Sequence, residues 1–153
     1  MDNVEKVKAQ LASHNLLERY LELPSSSATV TLAAQAIGCG EDLIIKTLSL
    51  KLKEGCIVIA VKGTARIDNQ KFKQYFKQRP VFLKQEEVEE LTGHPVGGVC
   101  PFALKQGVKI YLDISVKQAP YSYPAAGAKN NAVKLTPQEL ETVTGGIWID
   151  VCK

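Results

Sequence analysis

The apolar positions change period several times along the chain, and each change marks an element. Val4, Val7 and Leu11 recur at helical spacing behind Asp2, with Glu5 three residues on as in a capping box, so a helix opens the chain. It is expected to stop near His14 and Asn15, because asparagine tolerates a left-handed backbone. Leu17, Leu21 and Leu23 alternate with charged residues, which predicts a strand with helix as its competitor. Residues 24–27, Pro-Ser-Ser-Ser, form a loop too short to link domains. Thr29 or Thr31 is placed to cap a short helix over 33–37, stopped by Gly38-Cys39-Gly40. Glu41 and Asp42 then start another short helix carrying Ile44, Ile45 and Lys46, with acidic residues at the end the helix dipole favours. Residues 48–52 and 56–61 read as two strands joined by a hairpin at Lys53-Glu54-Gly55.

Residues 69–76 read as a helix closed by Arg79-Pro80, and residues 85–92 as a second helix with Glu86, Glu87, Glu89 and Glu90 on an exposed face. Residues 108–114 form a strand, and 115–123 are ambiguous, with Tyr121 and Tyr123 on one side if extended. Residues 132–135 should be a strand. Thr136-Pro137-Gln138-Glu139 is a helix start with an N-cap threonine, proline at the first position and glutamate at the third. Gly145-Gly146 ends that helix, and 147–151 form a last strand. Strands separated by short helices, with one hairpin, predict an α+β domain on a mixed, largely antiparallel sheet.

One stretch fits no regular element. Residues 93–104, GHPVGGVCPFAL, interleave Gly93, Gly97 and Gly98 with Pro95 and Pro101 before turning apolar at Phe102. Neither a helix nor a central strand tolerates that mixture, so it must be a loop of fixed backbone angles. Glycine lets a ligand approach the main chain, and proline holds the peptide units in place. Such a loop offers bare N–H and C=O groups without a catalytic side chain.

Composition narrows the setting. The 153 residues suit one domain with a real core, and 45% hydrophobic with 23% charged residues is ordinary for a soluble protein. The charged, helical first residues are not a signal peptide, and no apolar run reaches membrane-span length. A net charge of +3 does not by itself imply nucleic acid. Between residues 62 and 84, however, Lys62, Arg66, Lys71, Lys73, Lys77, Arg79 and Lys84 face Asp68 alone. That run is either a phosphate-facing surface or a solvated helix face. Cys39, Cys56, Cys100 and Cys152 show no C-x-x-C spacing, and only His14 and His94 could join them, which argues against zinc and against a disulfide framework. Cys56 and Cys152 lie in apolar runs and read as core thiols. Free thiols and no signal point to the cytoplasm.

Four stretches together resemble the YbaK/ProX family of aminoacyl-tRNA deacylases, related to the editing domain of bacterial prolyl-tRNA synthetases. They are TVTLAA at 29–34, IIKTL at 44–48, GHPVGGVCPF at 93–102 and AVKLTP at 132–137. The resemblance covers nearly the whole chain and rests most on Lys46 with the G-x-x-x-P loop, Gly97 to Pro101. It implies a barrel-like fold with flanking short helices and a carboxylic ester hydrolase that clears mischarged tRNA, with tRNA-Pro the usual carrier. The partners implied are the tRNA 3′ acceptor end and prolyl-tRNA synthetase, with no DNA, no membrane, no metal and no organic cofactor.

By the same resemblance Lys46, Gly97, Gly98, Val99, Cys100 and Pro101 form the catalytic set. Thr29, Thr47, His94, Phe102 and Gly127 are expected at the aminoacyl end, and from the basic run Lys62, Arg66 and Lys71 are the expected contacts to tRNA phosphates. Relatives carry a small hydroxyl residue near the glycine where Ala128 and Lys129 stand here. Cys100 is expected to shape the amino-acid pocket and His94 to sit in the loop or at its rim. Lys46 has a plainer reading as a surface lysine at a helix end. Two alternatives stand beside the deacylase: a non-catalytic module of the same fold that binds the acceptor end or a synthetase, and a thiol hydrolase using Cys100 with His94. Alanine, cysteine, serine, threonine and 2-aminobutyrate are all candidates for the amino acid removed, since one methylene separates them only by roughly 1–3 kcal/mol.

Overall fold

The computed structural model describes residues 1–153, and its organising unit is a hairpin. Strand β2 (Ile45–Leu52) turns through Lys53-Glu54 into β3 (Gly55–Lys62), and the two pair antiparallel over their full length. Five successive side chains of β3, Ile57 to Val61, are at most 2% exposed. A strand buried on both faces needs a layer on each side, and it reads as a continuous apolar run rather than an alternation.

The layers come from short helices. Before the hairpin lie α1 (Asn3–Ser13), a 3₁₀ turn at Leu17–Arg19, β1 (Tyr20–Glu22), α2 (Val30–Ile37) and a 3₁₀ turn at Glu41–Leu43. After it come α3 (Asn69–Phe76), α4 (Gln85–Thr92), β4 (Lys109–Asp113), a 3₁₀ stretch at Ile114–Gln118, β5 (Asn131–Val133), α5 (Pro137–Thr144) and β6 (Ile147–Ile149). The main sheet runs β2-β3-β4-β6, and β1 pairs with β5 in a second, two-stranded sheet. On one face Ala60, Ile45 and Leu112 pack with Val7 and Leu11 of α1 and Leu140 and Val143 of α5. On the other, Leu50, Ile57, Ile59 and Val61 pack on Phe72 of α3. A third, small cluster joins Ala33 and Ala34 of α2 to Ile44. No helix is long and apolar enough to cross a membrane.

Local signals explain most boundaries. Asp2 accepts from the Glu5 amide, α1 caps at His14, and Asn15 takes the left-handed backbone, φ 60°. Of the two candidate threonines, Thr29 caps α2 by accepting from the Leu32 amide at 3.1 Å. Thr136 and Glu139 form the expected reciprocal capping box on α5. Arg19 then grips the Glu139 carboxylate through both guanidinium nitrogens, at 2.9 and 3.0 Å, fastening the entry of β1 to α5.

The α+β class with a mixed sheet holds, but three expectations change in detail. The main sheet is not largely antiparallel: β3–β4 and β4–β6 are parallel, and neither sheet closes into a barrel. A tight turn makes β2–β3 antiparallel, whereas the long connections through α3 and α4, and through α5, are the crossovers parallel pairing requires. Ile44, Ile45 and Lys46 are not helical; the acidic start yields one 3₁₀ turn, and Ile45 and Lys46 then pair with Lys62 and Val61 in the hairpin. The strand expected from Leu17 is a 3₁₀ turn followed by three strand residues. In the ambiguous stretch, Tyr121 and Tyr123 do lie side by side, edge to face at 6.0 Å. Cys152 is buried as expected, whereas Cys56 is only half-buried.

Phe72 is fully buried and its ring lies 4.6 Å from that of Phe76. Phe72→Ala should remove about 3–5 kcal/mol of stability, read as a lower urea midpoint with little change in slope.

Candidate functional site

Strand β2 is an edge strand, and its free edge borders a cleft of about 240 Å³. With Leu52 opposite Gly55 at the turn, the backbone groups of Lys46, Leu48 and Leu50 face β3, and those of Ile45, Thr47, Ser49 and Lys51 face away. Two segments dock on that outer edge. The Lys51 amide donates to Val81 and the Leu83 amide to Ser49, at 2.8 and 3.1 Å. At the other end the Ile45 amide donates to Tyr123, at 3.1 Å. Thr47 lies between them, its N–H and C=O turned towards the cleft. The remaining wall is mostly apolar and small: Val30, Ala33, Ile44, Val99 and Ala125.

Facing this edge is the glycine- and proline-rich loop. Gly93 caps α4 with φ 90°, and the Gly98 amide donates to Pro95 at 3.0 Å. His94 is fully buried. Its Nδ1 accepts from Asn3 at 3.1 Å, and its Nε2 donates to the Phe102 carbonyl at 2.6 Å, the tautomer that satisfies both partners. The Ala103 amide donates to Gln10 Oε1 at 2.7 Å. Helix α1 therefore holds both the start and the end of the loop. Asn3 also donates to the Gly127 carbonyl at 2.6 Å, and a side chain on Gly98 would stand 2.8–2.9 Å from Gly127 and Ala128 backbone atoms. The loop and the 126–131 turn are thus in direct main-chain contact. Asn131 shapes that turn, accepting from the Ala126 and Ala128 amides at 3.1 Å.

These contacts sort the candidate residues. Thr29, Lys46, Thr47, Gly97 and Val99 come together around the cleft. Gly98, Cys100, Pro101, Phe102, His94 and Gly127 are buried behind it. His94 is not at the rim: both ring nitrogens are committed to holding the loop. Cys100 does not reach the cleft wall, and its thiol, fully buried, is pushed up to about 12. It lies 3.4 Å from His94 Nε2, yet that nitrogen carries the proton given to Phe102 and has no lone pair to activate the thiol. Cys100 with His94 is therefore no nucleophile–base pair.

Lys46 is half-buried and takes part in none of the chain's five ion pairs. Burial holds its amine below the ordinary lysine range, and the Arg66 charge adds to the effect. Among the expected phosphate contacts, Arg66 is exposed, Lys62 donates to Gln118, and Lys71 is tied to Asp150 and the Cys152 carbonyl, both at 3.0 Å. None of the three lines the cleft. Sequence reading passed over Ser27, Tyr123 and Asn131, which do; each sits in a turn-rich stretch where serine and asparagine are commonplace. No group of three or more His, Cys, Asp or Glu side chains is arranged to hold a metal ion.

The sequence profile of the aminoacyl-tRNA editing domain matches residues 7–143. The chain belongs to this family. It is 40% identical to protein YwhH of Bacillus subtilis over 99% of this chain and 98% of that one. It is also 30% identical, over 65% of its length, to a proline–tRNA ligase of Kosmotoga olearia, of which the match spans 18%. A crystal structure of a protein proposed to be a trans-editing enzyme for prolyl tRNA synthetase superposes with a TM-score of 0.88 at 29% identity, covering 100% of this chain and 98% of that one. The editing domain's fold is thus shared over the full chain, and aminoacyl-tRNA editing is the function class to which it belongs.

The His94 joint makes the editing domain sensitive to acid. Burial lowers the His94 pKa below its ordinary 6.5, opposed by the bond to Phe102. As pH falls below about 6.5 the unfolded chain binds a proton that the folded chain resists, so stability present above that pH is lost on acidification. The thermal midpoint should therefore drop between about pH 7 and pH 5, and His94→Gln should flatten that drop while lowering the midpoint at neutral pH.

Proposed function

We propose that this editing domain acts in trans as a deacylase, hydrolysing the ester between a small noncognate amino acid and the 3′-terminal adenosine of tRNA-Pro. The observation that carries the reading is that Lys46, which joins none of the chain's ion pairs, and Thr47 line the same narrow cleft as Gly97 of the glycine- and proline-rich loop. An aminoacyl ester is already activated, so oriented N–H groups beside its carbonyl, stabilising charge as it develops on that oxygen, are sufficient help. Lys46 supplies positive charge to the carbonyl oxygen or the terminal phosphate, with Arg66 reinforcing the positive potential around it. A water oxygen adds to the carbonyl carbon and gives up a proton, with the neighbouring ribose hydroxyl placed to relay it. The bond from that carbon to the ribose oxygen then breaks, the ribose oxygen takes a proton, and hydrolysis leaves the free amino acid and an uncharged tRNA. The rigid loop holds the ester in register throughout. Small apolar walls suit a small amino acid and crowd a large one. The likeness to proline–tRNA ligases supports tRNA-Pro as the carrier.

The test is a release time course on tRNA-Pro charged separately with Pro, Ala, Cys, Ser and Thr, with and without EDTA. A noncognate amino acid should be released rapidly and without loss in EDTA. Lys46→Ala should lower that rate roughly a hundredfold or more, the scale of losing one charge-stabilising contact. Cys100→Ser should lower it less than about tenfold, since the thiol only packs behind the wall. A complete loss in Cys100→Ser would restore the thiol hydrolase. No release from any substrate, with retained tRNA binding, would leave a non-catalytic acceptor-end module.

A further inference from the structure

Two side-chain oxygens in this chain are buried and have no hydrogen-bond partner: Ser27 Oγ and Thr47 Oγ1. Both residues line the cleft. Ser27 is 8% exposed, and its amide donates to the Lys129 carbonyl at 2.6 Å, so it is held against the 126–131 turn. Thr47 is held by the pairing of β2 with β3, opposite Ala60. A buried hydroxyl without a partner is destabilising, and two in one small cleft indicate an occupant that bonds to them.

The chemistry of the wall limits that occupant. No aspartate or glutamate lines the cleft, and its one charged residue is the cationic Lys46. An ammonium group set against the two hydroxyls would be a buried cation with no acidic side chain in the wall to balance it. An alkyl side chain would leave both hydroxyls dry. A neutral hydroxyl both donates and accepts, so it can bond a wall hydroxyl in either direction, whereas a thiol donates and accepts only weakly. Resting on the deacylase reading of this cleft, we infer that Ser27 and Thr47 select β-hydroxy amino acids, so that the esters removed are seryl and threonyl rather than alanyl, cysteinyl or 2-aminobutyryl.

2-Aminobutyrate is serine with a methyl group in place of the hydroxyl, which makes it the decisive comparison. With tRNA-Pro charged with each, the wild-type chain should hydrolyse the seryl ester at least about tenfold faster than the 2-aminobutyryl ester, because a site built to bond a hydroxyl penalises its absence. In Ser27→Ala and in Thr47→Val, which keeps the side chain's shape, the seryl to 2-aminobutyryl rate ratio should fall towards one. Thermal midpoints near that of the wild type would show that both variants fold. Equal wild-type rates, a preference for alanyl esters, or an unchanged ratio in both variants would overturn the inference. If the wild type releases nothing, the deacylase reading fails separately. The same preference is then read by calorimetry, comparing non-hydrolysable 3′-amide analogues of seryl- and 2-aminobutyryl-adenosine. Tighter binding of the seryl analogue, lost in both variants, supports the selection; equal binding refutes it.

Discussion

A neutral imidazole bonded at both nitrogens decides whether the cleft has a far wall at all. His94 ties the first turn of α1, through Asn3, to the carbonyl of Phe102, and Asn3 in turn holds Gly127. Three stretches far apart in sequence meet there: residues near 3, near 94–103 and near 127. Two of them, the 94–103 loop and the turn at 127, have no helix or strand at that point, so strand or helix pairing cannot align them with the start of α1. The hydrogen bonds are short, buried and mutually dependent, and protonating the ring would turn the Asn3 acceptor into a donor and break the set.

This joint also explains why side chains matter less in the loop than its backbone. Gly97, at φ 86°, and Val99 reach the cleft, while Cys100, Pro101 and Phe102 anchor the same few residues in the core. The anchors can be apolar because they hold position and take no part in contact. The opposite wall is built differently. It is the outer edge of a strand whose inner edge is fixed by eight paired residues. One wall is rigid by ladder and the other by buried polar ties, and a ligand between them meets main chain on both sides.

How far the sequence disclosed this depends on how local each signal was. The bounds of α3 and α4, read at 69–76 and 85–92, hold, and the structure puts an Asp68 cap at the start of one and Gly93 at the end of the other. The helix expected over Ile44 to Lys46 failed for the same reason in reverse: Glu41-Asp42 is a local start signal, and pairing with β3, sixteen residues on, overrode it. Parallel pairing of β3 with β4 joins segments about fifty residues apart and leaves no mark on either. The cleft residues Thr29, Lys46, Thr47, Gly97 and Val99 were reached through the family resemblance, which carries tertiary information that periodicity lacks. His94 was expected in the loop or at its rim and lies in the loop, but its burial could not be read because its partner Asn3 lies 91 positions away. Ser27 was invisible, because a serine between proline and a helix cap is a loop residue by every local rule.

The edge of β2 has one more consequence. An open strand edge is a template on which another chain can add itself, and proteins with long bare edges are prone to associate into sheets. Here the segments at 81–83 and at Tyr123 occupy both ends of that edge, leaving Thr47 as the one residue between them. A gap one residue long is wide enough for an ester and too short to seat a foreign strand. Such a gap thus leaves the edge of β2 too little free backbone to recruit a second strand.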